Sequence, residues 1–177
     1  KTVALEIFMQ NQEKAPDFIV VSAGDGVILS SVFKGFNDLY LAGLIENIPH
    51  IICVQSEKSD AIHHLFQTGT YRPAEHPDTV ADSISVINPA NAYMAVDYIH
   101  KSKGKSVLVN DTEIMSAQKI LAENSGIYAE PAAATAMAGL IKLNSQKYFD
   151  PEKQIVLLIT GNGLKDIDAS IRYMESL

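Results

Sequence analysis

Short apolar runs alternate along the chain with longer stretches in which apolar residues recur at helical spacing. The runs at residues 18–21, 51–54, 106–109 and 154–160 are each predicted to form a buried strand. The last of them, QIVLLIT, is continuous, which is typical of a parallel strand covered on both faces. Strands that alternate with helices favour an α/β fold, with a mostly parallel sheet and helices on both faces.

The stretches between these runs carry helix signals. Helices are predicted over residues 2–12, 27–44, 60–66, 90–101, 110–126, 131–143 and 164–177. Asn110 is a favoured residue at a helix start, and Pro131 stands where the first turn of a helix tolerates proline. No repeat or linker divides the chain, so residues 1–177 are predicted to form a single α/β unit.

Composition narrows the class of protein. Apolar residues make up 47% and charged residues 20% of the 177 residues, which is the balance of a folded globular protein. A formal net charge of −7 without a Lys/Arg run argues against a nucleic-acid partner. The apolar stretches are too short to cross a bilayer, so no membrane partner is expected. The single Cys53 fits a reducing compartment, and a cytoplasmic location is therefore expected.

Two glycine turns follow predicted strands and are the first candidates for a binding site. Residues 24–26 (Gly-Asp-Gly) follow the first strand, and residues 161–163 (Gly-Asn-Gly) follow the last. Ligands bind at the carboxyl edge of a parallel sheet, where a helix N-terminus offers free N–H groups to a phosphate. Such glycines are also common for packing reasons, and neither a P-loop nor a dinucleotide fingerprint is present. Asp25 would repel a phosphate unless its side chain turned away, for example to cap the helix that follows.

Seven segments match one family of enzymes, in the family's order. They are residues 23–29 (AGDGVIL), 34–36 (KGF), 49–55 (PHIICVQ), 79–84 (TVADSI), 109–114 (VNDTEI), 126–134 (GIYAEPAAA) and 160–166 (TGNGLKD). In these motifs the chain resembles the threonine synthase family, which belongs to the tryptophan-synthase-like, fold type II class of pyridoxal-phosphate (PLP) enzymes. The last motif and the order are fairly specific, whereas the Glu-Pro-Ala piece is generic to the class.

The resemblance implies a site for PLP and no metal. The hydroxyl of Thr160 would lie at the pyridine nitrogen of the cofactor, where a hydroxyl donates a hydrogen bond without holding the nitrogen protonated. Main-chain N–H groups of a loop would surround the phosphate. That loop consists of Gly24, Asp25, Gly26, Val27 and Ile28. The family often has Asn, Gly and Asn where Asp25, Val27 and Ile28 stand, so the backbone donors are kept while side-chain contacts differ.

Structural roles remain open for several candidates. Thr160 could end a strand and cap the next turn, and Glu130 could balance a helix dipole. Lys165 is expected to be a solvated helix lysine, and Ser83 is not predicted to belong to the site. The histidine pair 63–64 and His76 lack the spacing and companions of metal ligands, so they are expected to be surface or loop histidines.

The lysine that carries the cofactor in this family lies in a Ser-Phe-Lys-Asp-like motif. Neither that motif nor the Ser/Thr-x-Gly-Asn-Thr segment that supports the ring occurs in these residues. No catalytic residue is therefore predicted within the chain. Residues 1–7 resemble an interior segment of the family, so the chain is expected to be the C-terminal half of a longer enzyme and to be inactive alone.

The resemblance implies that the parent enzyme converts O-phospho-L-homoserine and water into L-threonine and phosphate. Its partner is therefore expected to be a small-molecule substrate, and a homodimer is left open. Three alternatives remain at this point. The parent could be another fold type II lyase, such as a threonine/serine dehydratase or a cysteate-synthase-like enzyme. The chain could instead be a non-catalytic phosphate-binding α/β module. It could also be an interaction domain that uses residues 27–44 as its contact helix.

Overall fold

A parallel sheet with helices on both faces forms the framework of residues 1–175, the part of the chain that the computed structural model describes. The helices are α1 (Thr2–Gln10), α2 (Val27–Leu41), α3 (Ala61–Thr68), α4 (Ala92–Lys101), α5 (Asp111–Ser125), α6 (Pro131–Ser145) and α7 (Ile167–Glu175). The strands are β1 (Phe18–Ser22), β2 (His50–Ser56), β3 (Lys105–Val109) and β4 (Ile155–Leu157). Two short 3-10 helices span Asp82–Ile84 and Gly163–Lys165.

The sheet has the order β3-β2-β1-β4, and every pairing is parallel. Neighbouring side chains of a strand point to opposite faces, so Ile19 and Val21 join the core under α1 to α4. Val20 joins the core under α5 and α6. The predicted fold class, a mostly parallel sheet covered on both faces, is confirmed.

The sequence pattern overestimates the length of the last strand. Within the predicted strand 154–160, only Ile155–Leu157 pair as a strand, and their side chains are half-buried rather than fully covered. Among the described residues β4 lies at the edge of the sheet and pairs with β1 alone. An apolar run indicates that its residues tend to be buried. How many of them pair in a strand depends on the strand that lies beside them.

Helix starts follow the predicted signals closely. Asn110 and Glu113 form a capping box at the start of α5, each side chain bonding the other residue's main-chain N–H. Pro131 is the first residue of α6, as predicted. The last predicted helix is split, because Gly163–Lys165 form a 3-10 turn before α7 begins at Ile167. The last two residues of that prediction, 176 and 177, lie outside the described residues.

Cys53 lies in the middle of β2 and is fully buried. Burial raises the pKa of its thiol to about 12, so the thiol stays protonated and packs as a small apolar side chain. Within residues 1–175, none of the helices combines the length and apolar character needed to cross a bilayer.

Candidate functional site

The two predicted turns lie on neighbouring strands. Val20 of β1 pairs with Leu157 of β4, and the N–H of residue 158 donates to the carbonyl of Val20 at 3.0 Å. Ala23 and Thr160 each stand three residues beyond this pair, so both turns emerge at the carboxyl edge of the sheet. The chain thereby brings residues 24–28 and Thr160, which are more than 130 residues apart in sequence, to the same edge.

Packing and backbone conformation explain the glycines of the first turn. Gly26 precedes α2 with a φ of 79°, in the left-handed region that favours glycine. A Cβ on Gly24 would lie 3.0 Å from the Cα of Ile84, so the end of the first 3-10 helix approaches the turn directly. The backbone conformation therefore favours glycine at position 26, and a side chain at position 24 would meet tight contacts, whether or not the turn binds a ligand.

The first turn presents open donors. Val27 and Ile28 are 49% and 45% exposed, and their N–H groups have no hydrogen-bond partner among the described residues. Asp25 is exposed, and its carboxylate accepts from the N–H of Ala90 at 3.1 Å, just before α4. The suggestion that it caps α2 is wrong, because no side chain of the described residues caps that helix and the carboxylate of Asp25 is engaged before α4 instead. The turned side chain leaves the N-terminus of α2 free for an anion.

Sequence reasoning missed the side chain that supports this turn from below. Gln55, at the end of β2, is fully buried. Its amide donates to the carbonyl of Ala23 at 3.2 Å and accepts from the N–H of His63 at 2.8 Å. Gln55 therefore links the residue before Gly24 to α3. Its one sequence signal is a polar residue that closes the otherwise apolar run IICV.

Ser59 holds the segment that covers Gly24. Its hydroxyl lies 2.9 Å from the carbonyl oxygen of Ile84 and accepts from the N–H of Val86 at 3.0 Å. The hydroxyl is buried, so these main-chain groups satisfy it without water. The irregular stretch predicted from the sequence is thus tied down at the point where it meets the first turn.

The second turn is clasped by the segment that precedes α6. Ala129 and Asn162 form an antiparallel bridge, and the N–H of Gly163 donates to the carbonyl of Tyr128 at 2.8 Å. Thr160 is exposed, and its hydroxyl has no hydrogen-bond partner among the described residues. The capping role left open for Thr160 belongs to Asn162, whose side chain accepts from the N–H of Leu164 at 2.9 Å. The hydroxyl of Thr160 is therefore available to a ligand.

A charged cluster lies beside the two turns. Lys165 contacts Ser83 and Glu130, so it is paired rather than only solvated as predicted. Glu130 is the N-cap residue of α6, but its side chain makes no capping bond to that helix. The cluster borders a cavity of about 450 Å³, and none of the six predicted cofactor residues lines it. A larger cavity of about 850 Å³ lies at the opposite edge of the sheet, around His50 and Lys153. The six predicted cofactor residues do not line this cavity either.

Of the three histidines predicted to lie on the surface or in loops, His76 is exposed in a loop, whereas His63 and His64 lie partly buried in α3. The Nδ1 atom of His63 lies 3.0 Å from the hydroxyl of Ser106, and burial lowers the pKa of its imidazole. Throughout residues 1–175, no group of three or more His, Cys, Asp or Glu side chains is placed to hold a metal ion. Among the described residues, the unpaired N–H groups at the start of α2 suit a phosphate, and the unpaired Thr160 hydroxyl at the same edge of the sheet can donate one further hydrogen bond. Such a site is typical of the class of α/β enzymes that bind a phosphorylated cofactor.

Within that class the family is shown by comparison with known proteins. The chain belongs to the pyridoxal-phosphate dependent enzyme family, which matches residues 1–161. The predicted family resemblance and the predicted cofactor class are thereby confirmed.

Curated relatives include threonine synthases. That of Methanocaldococcus jannaschii is 38% identical over 177 residues, which cover 99% of this chain and 44% of that protein. That of Methanosarcina acetivorans is 37% identical with the same coverage, and that of Mycobacterium tuberculosis is 30% identical over 100% of this chain and 47% of that protein. The chain thus spans less than half the length of these relatives.

Solved structures share the fold at low identity. The processed form of threonine deaminase isoform 2 from Solanum lycopersicum superimposes with a TM-score of 0.79 at 20% identity, over 98% of this chain and 47% of that one. A fungal L-serine ammonia-lyase from Rhizomucor miehei superimposes with a TM-score of 0.77 at 21% identity, over 98% and 54%. At this identity the similarity establishes the architecture alone.

Proposed function

We propose that the complete gene product containing this chain is a PLP-dependent threonine synthase. It converts O-phospho-L-homoserine and water into L-threonine and phosphate, as a carbon-oxygen lyase that acts on a phosphate ester. The observation that carries the proposal is the pairing of β1 with β4, which brings both glycine turns and Thr160 to one edge of the sheet. Similarity to threonine synthases over nearly the whole chain supports this substrate.

The residues that would hold the cofactor are those predicted from the sequence. The N-terminus of α2 would hold the phosphate, because its free N–H groups and the positive end of the helix dipole can take the place of a cationic side chain. The donors belong to Gly24, Asp25, Gly26, Val27 and Ile28. Asp25 keeps its carboxylate engaged with Ala90, which reduces the repulsion of the phosphate.

The hydroxyl of Thr160 would donate a hydrogen bond to the pyridine nitrogen of the cofactor. A hydroxyl supplies one hydrogen bond without a formal charge, so it does not keep that nitrogen protonated as a carboxylate would. The bound cofactor supplies an electron sink for bond breaking at the carbon atoms of an amino acid. A weaker sink suits elimination and replacement on the side chain of the substrate.

Residues 1–177 are proposed to form a single α/β unit, the C-terminal half of the enzyme within its PLP-binding large domain. The family's cofactor-linking lysine motif is not found in these residues, and the relatives are more than twice as long. We therefore propose that another segment of the gene product supplies the lysine and that residues 1–177 alone are inactive. A cytoplasmic location and a homodimer belong to the same proposal.

The decisive experiment uses the complete gene product, loaded with PLP and offered O-phospho-L-homoserine, L-serine or L-threonine in parallel. The proposal expects phosphate and L-threonine in equal amounts from the first substrate and no 2-oxo acid from the other two. Formation of a 2-oxo acid and ammonia without phosphate release would instead identify a dehydratase. A protein that binds no PLP would support a non-catalytic phosphate-binding module. Phosphate release by residues 1–177 alone would refute the proposed division of the enzyme.

A further inference from the structure

Three side chains from three separate segments meet between the two turns. The Nζ atom of Lys165 lies 2.8 Å from the hydroxyl of Ser83 and 3.2 Å from a carboxylate oxygen of Glu130. The hydroxyl of Ser83 donates to the same carboxylate oxygen at 3.3 Å. A lysine, a hydroxyl and a carboxylate thus form a closed network of charge-assisted contacts.

The carboxylate of this network is buried and lies against the second turn. The side chain of Glu130 is 8% exposed, whereas that of Lys165 is 64% exposed. A Cβ on Gly161 would overlap the carboxylate of Glu130, and the N–H of Glu130 donates to the carbonyl of Gly161 at 3.1 Å. The carboxylate of Glu130 therefore packs directly against Gly161, and Thr160 is the residue immediately before Gly161.

Ser83 connects the same network to the first turn. It belongs to the 3-10 helix Asp82–Ile84, and Ile84 is the residue whose Cα approaches Gly24. Ser59 holds Ile84 in place through its carbonyl oxygen. The network therefore lies between the N-terminus of α2 and the turn that follows Thr160, and none of its three residues is part of either.

The segment that carries Glu130 is anchored from its other side. The buried amide of Gln118 donates to the carbonyl of Ala129 at 2.7 Å. Ser170 donates to Gln118 at 2.9 Å, and the hydroxyl of Tyr128 donates to Ser170 at 2.8 Å. These contacts anchor residues 128–130 to α5 and α7.

We propose that Glu130, Lys165 and Ser83 are positioning residues that fix the Thr160 hydroxyl relative to the N–H groups of α2. The inference rests on the proposed function, because it assumes that these two groups bind opposite ends of one cofactor. Loss of Lys165 leaves a buried carboxylate without its countercharge, and such a group moves toward water. That movement releases Gly161 and displaces the Thr160 hydroxyl. Hydrogen bonds weaken steeply once their geometry is lost.

The first test needs no cofactor. Lys165→Met in the complete gene product is compared with Lys101→Met, which removes an exposed lysine that pairs with Asp97 on the same helix. Hydrogen exchange at the amides of Glu130 and Gly163 is expected to rise about fivefold in Lys165→Met, the effect of losing one partly exposed ion pair. Lys165→Arg should keep the wild-type rates, and Lys101→Met should not change them. Equal exchange at these two amides in Lys165→Met and Lys101→Met would overturn the proposal.

The second test measures the cofactor site through a double-variant cycle with Thr160→Val. Lys165→Met should weaken the affinity for PLP about fivefold and shift the absorption spectrum of the bound cofactor in the same direction as Thr160→Val. If Lys165 acts through Thr160, the double variant should bind PLP no worse than Thr160→Val alone. Additive losses would overturn the positioning role. A wild-type protein that binds no PLP would refute the proposed function, and the exchange rates would still decide whether the network holds the turn.

Discussion

Replacing Gln55 with leucine tests whether the buried amide supports the phosphate turn. Gln55→Leu preserves the approximate size of the side chain but removes its donor to Ala23 and its acceptor for His63. The carbonyl of Ala23 is then left without that partner in a buried position, and the N–H of His63 in a partly buried one. The variant therefore separates the loss of two hydrogen bonds from the loss of packing.

The expected magnitude follows from those two contacts. Each buried group left unsatisfied costs about 1–3 kcal/mol, and the larger cost falls on Ala23 because it is the more buried. Allowing for the apolar burial that leucine gains, we expect a net loss of about 2–3 kcal/mol in the free energy of unfolding. For a domain of 150–250 residues such a loss lowers Tm by roughly 4–12 °C, and the longer complete gene product should show the lower part of that range.

A matched control makes the result specific. Gln154→Leu is the same substitution at an exposed residue that also makes two hydrogen bonds, both with Asn11. Its effect should stay within about 0.5 kcal/mol, as for most surface changes. Tm is measured by circular dichroism on the complete gene product, and PLP affinity by titration below the transition. Equal Tm values for both variants, or an unchanged PLP affinity in Gln55→Leu, would refute the supporting role of Gln55.

Three further outcomes are expected of the complete gene product. Thr160→Val should lower kcat about tenfold or more while Tm changes by less than about 2 °C, and Thr160→Ser should retain activity. A large fall in Tm in Thr160→Val would count against a role of Thr160 in the site. Asp25→Asn keeps an acceptor for Ala90 and removes a negative charge beside the phosphate, so PLP should bind about two- to fivefold more tightly, and weaker binding would contradict the assigned phosphate position. Burial lowers the pKa of His63 below its ordinary 6.5, although Asp60 partly opposes this. The unfolded chain therefore takes up the proton first, and the free energy of unfolding should fall as pH drops through 6.5. Urea unfolding over a pH series should show this step in the wild type and a smaller one in His63→Gln, and an unchanged step would exclude His63 as its source.

Local patterns account for most of the predicted architecture. Alternating apolar runs predicted the positions of all four described strands, and the Asn110 and Pro131 signals predicted where α5 and α6 begin. These features depend on residues within a few positions of each other, so a sequence pattern can report them. The two glycine turns were predictable for the same reason.

Contacts between distant segments were not predictable in this way. Gln55 reaches Ala23, and Glu130 reaches both Gly161 and Lys165, across intervals of 30 residues or more. A polar residue in an apolar run indicates a buried hydrogen bond, but the identity of its partner depends on how the chain is packed. For this reason the sequence did not predict that Lys165 pairs with Ser83 and Glu130.

The sequence alone determines that strands alternate with helices, that glycine stands at the turns and that the motifs of a PLP-dependent enzyme are present. Only the tertiary structure decides that β4 lies beside β1, and hence that Thr160 and the start of α2 share one edge. The physical reason is that turns and caps are local interactions, whereas strand order results from which apolar faces are buried together.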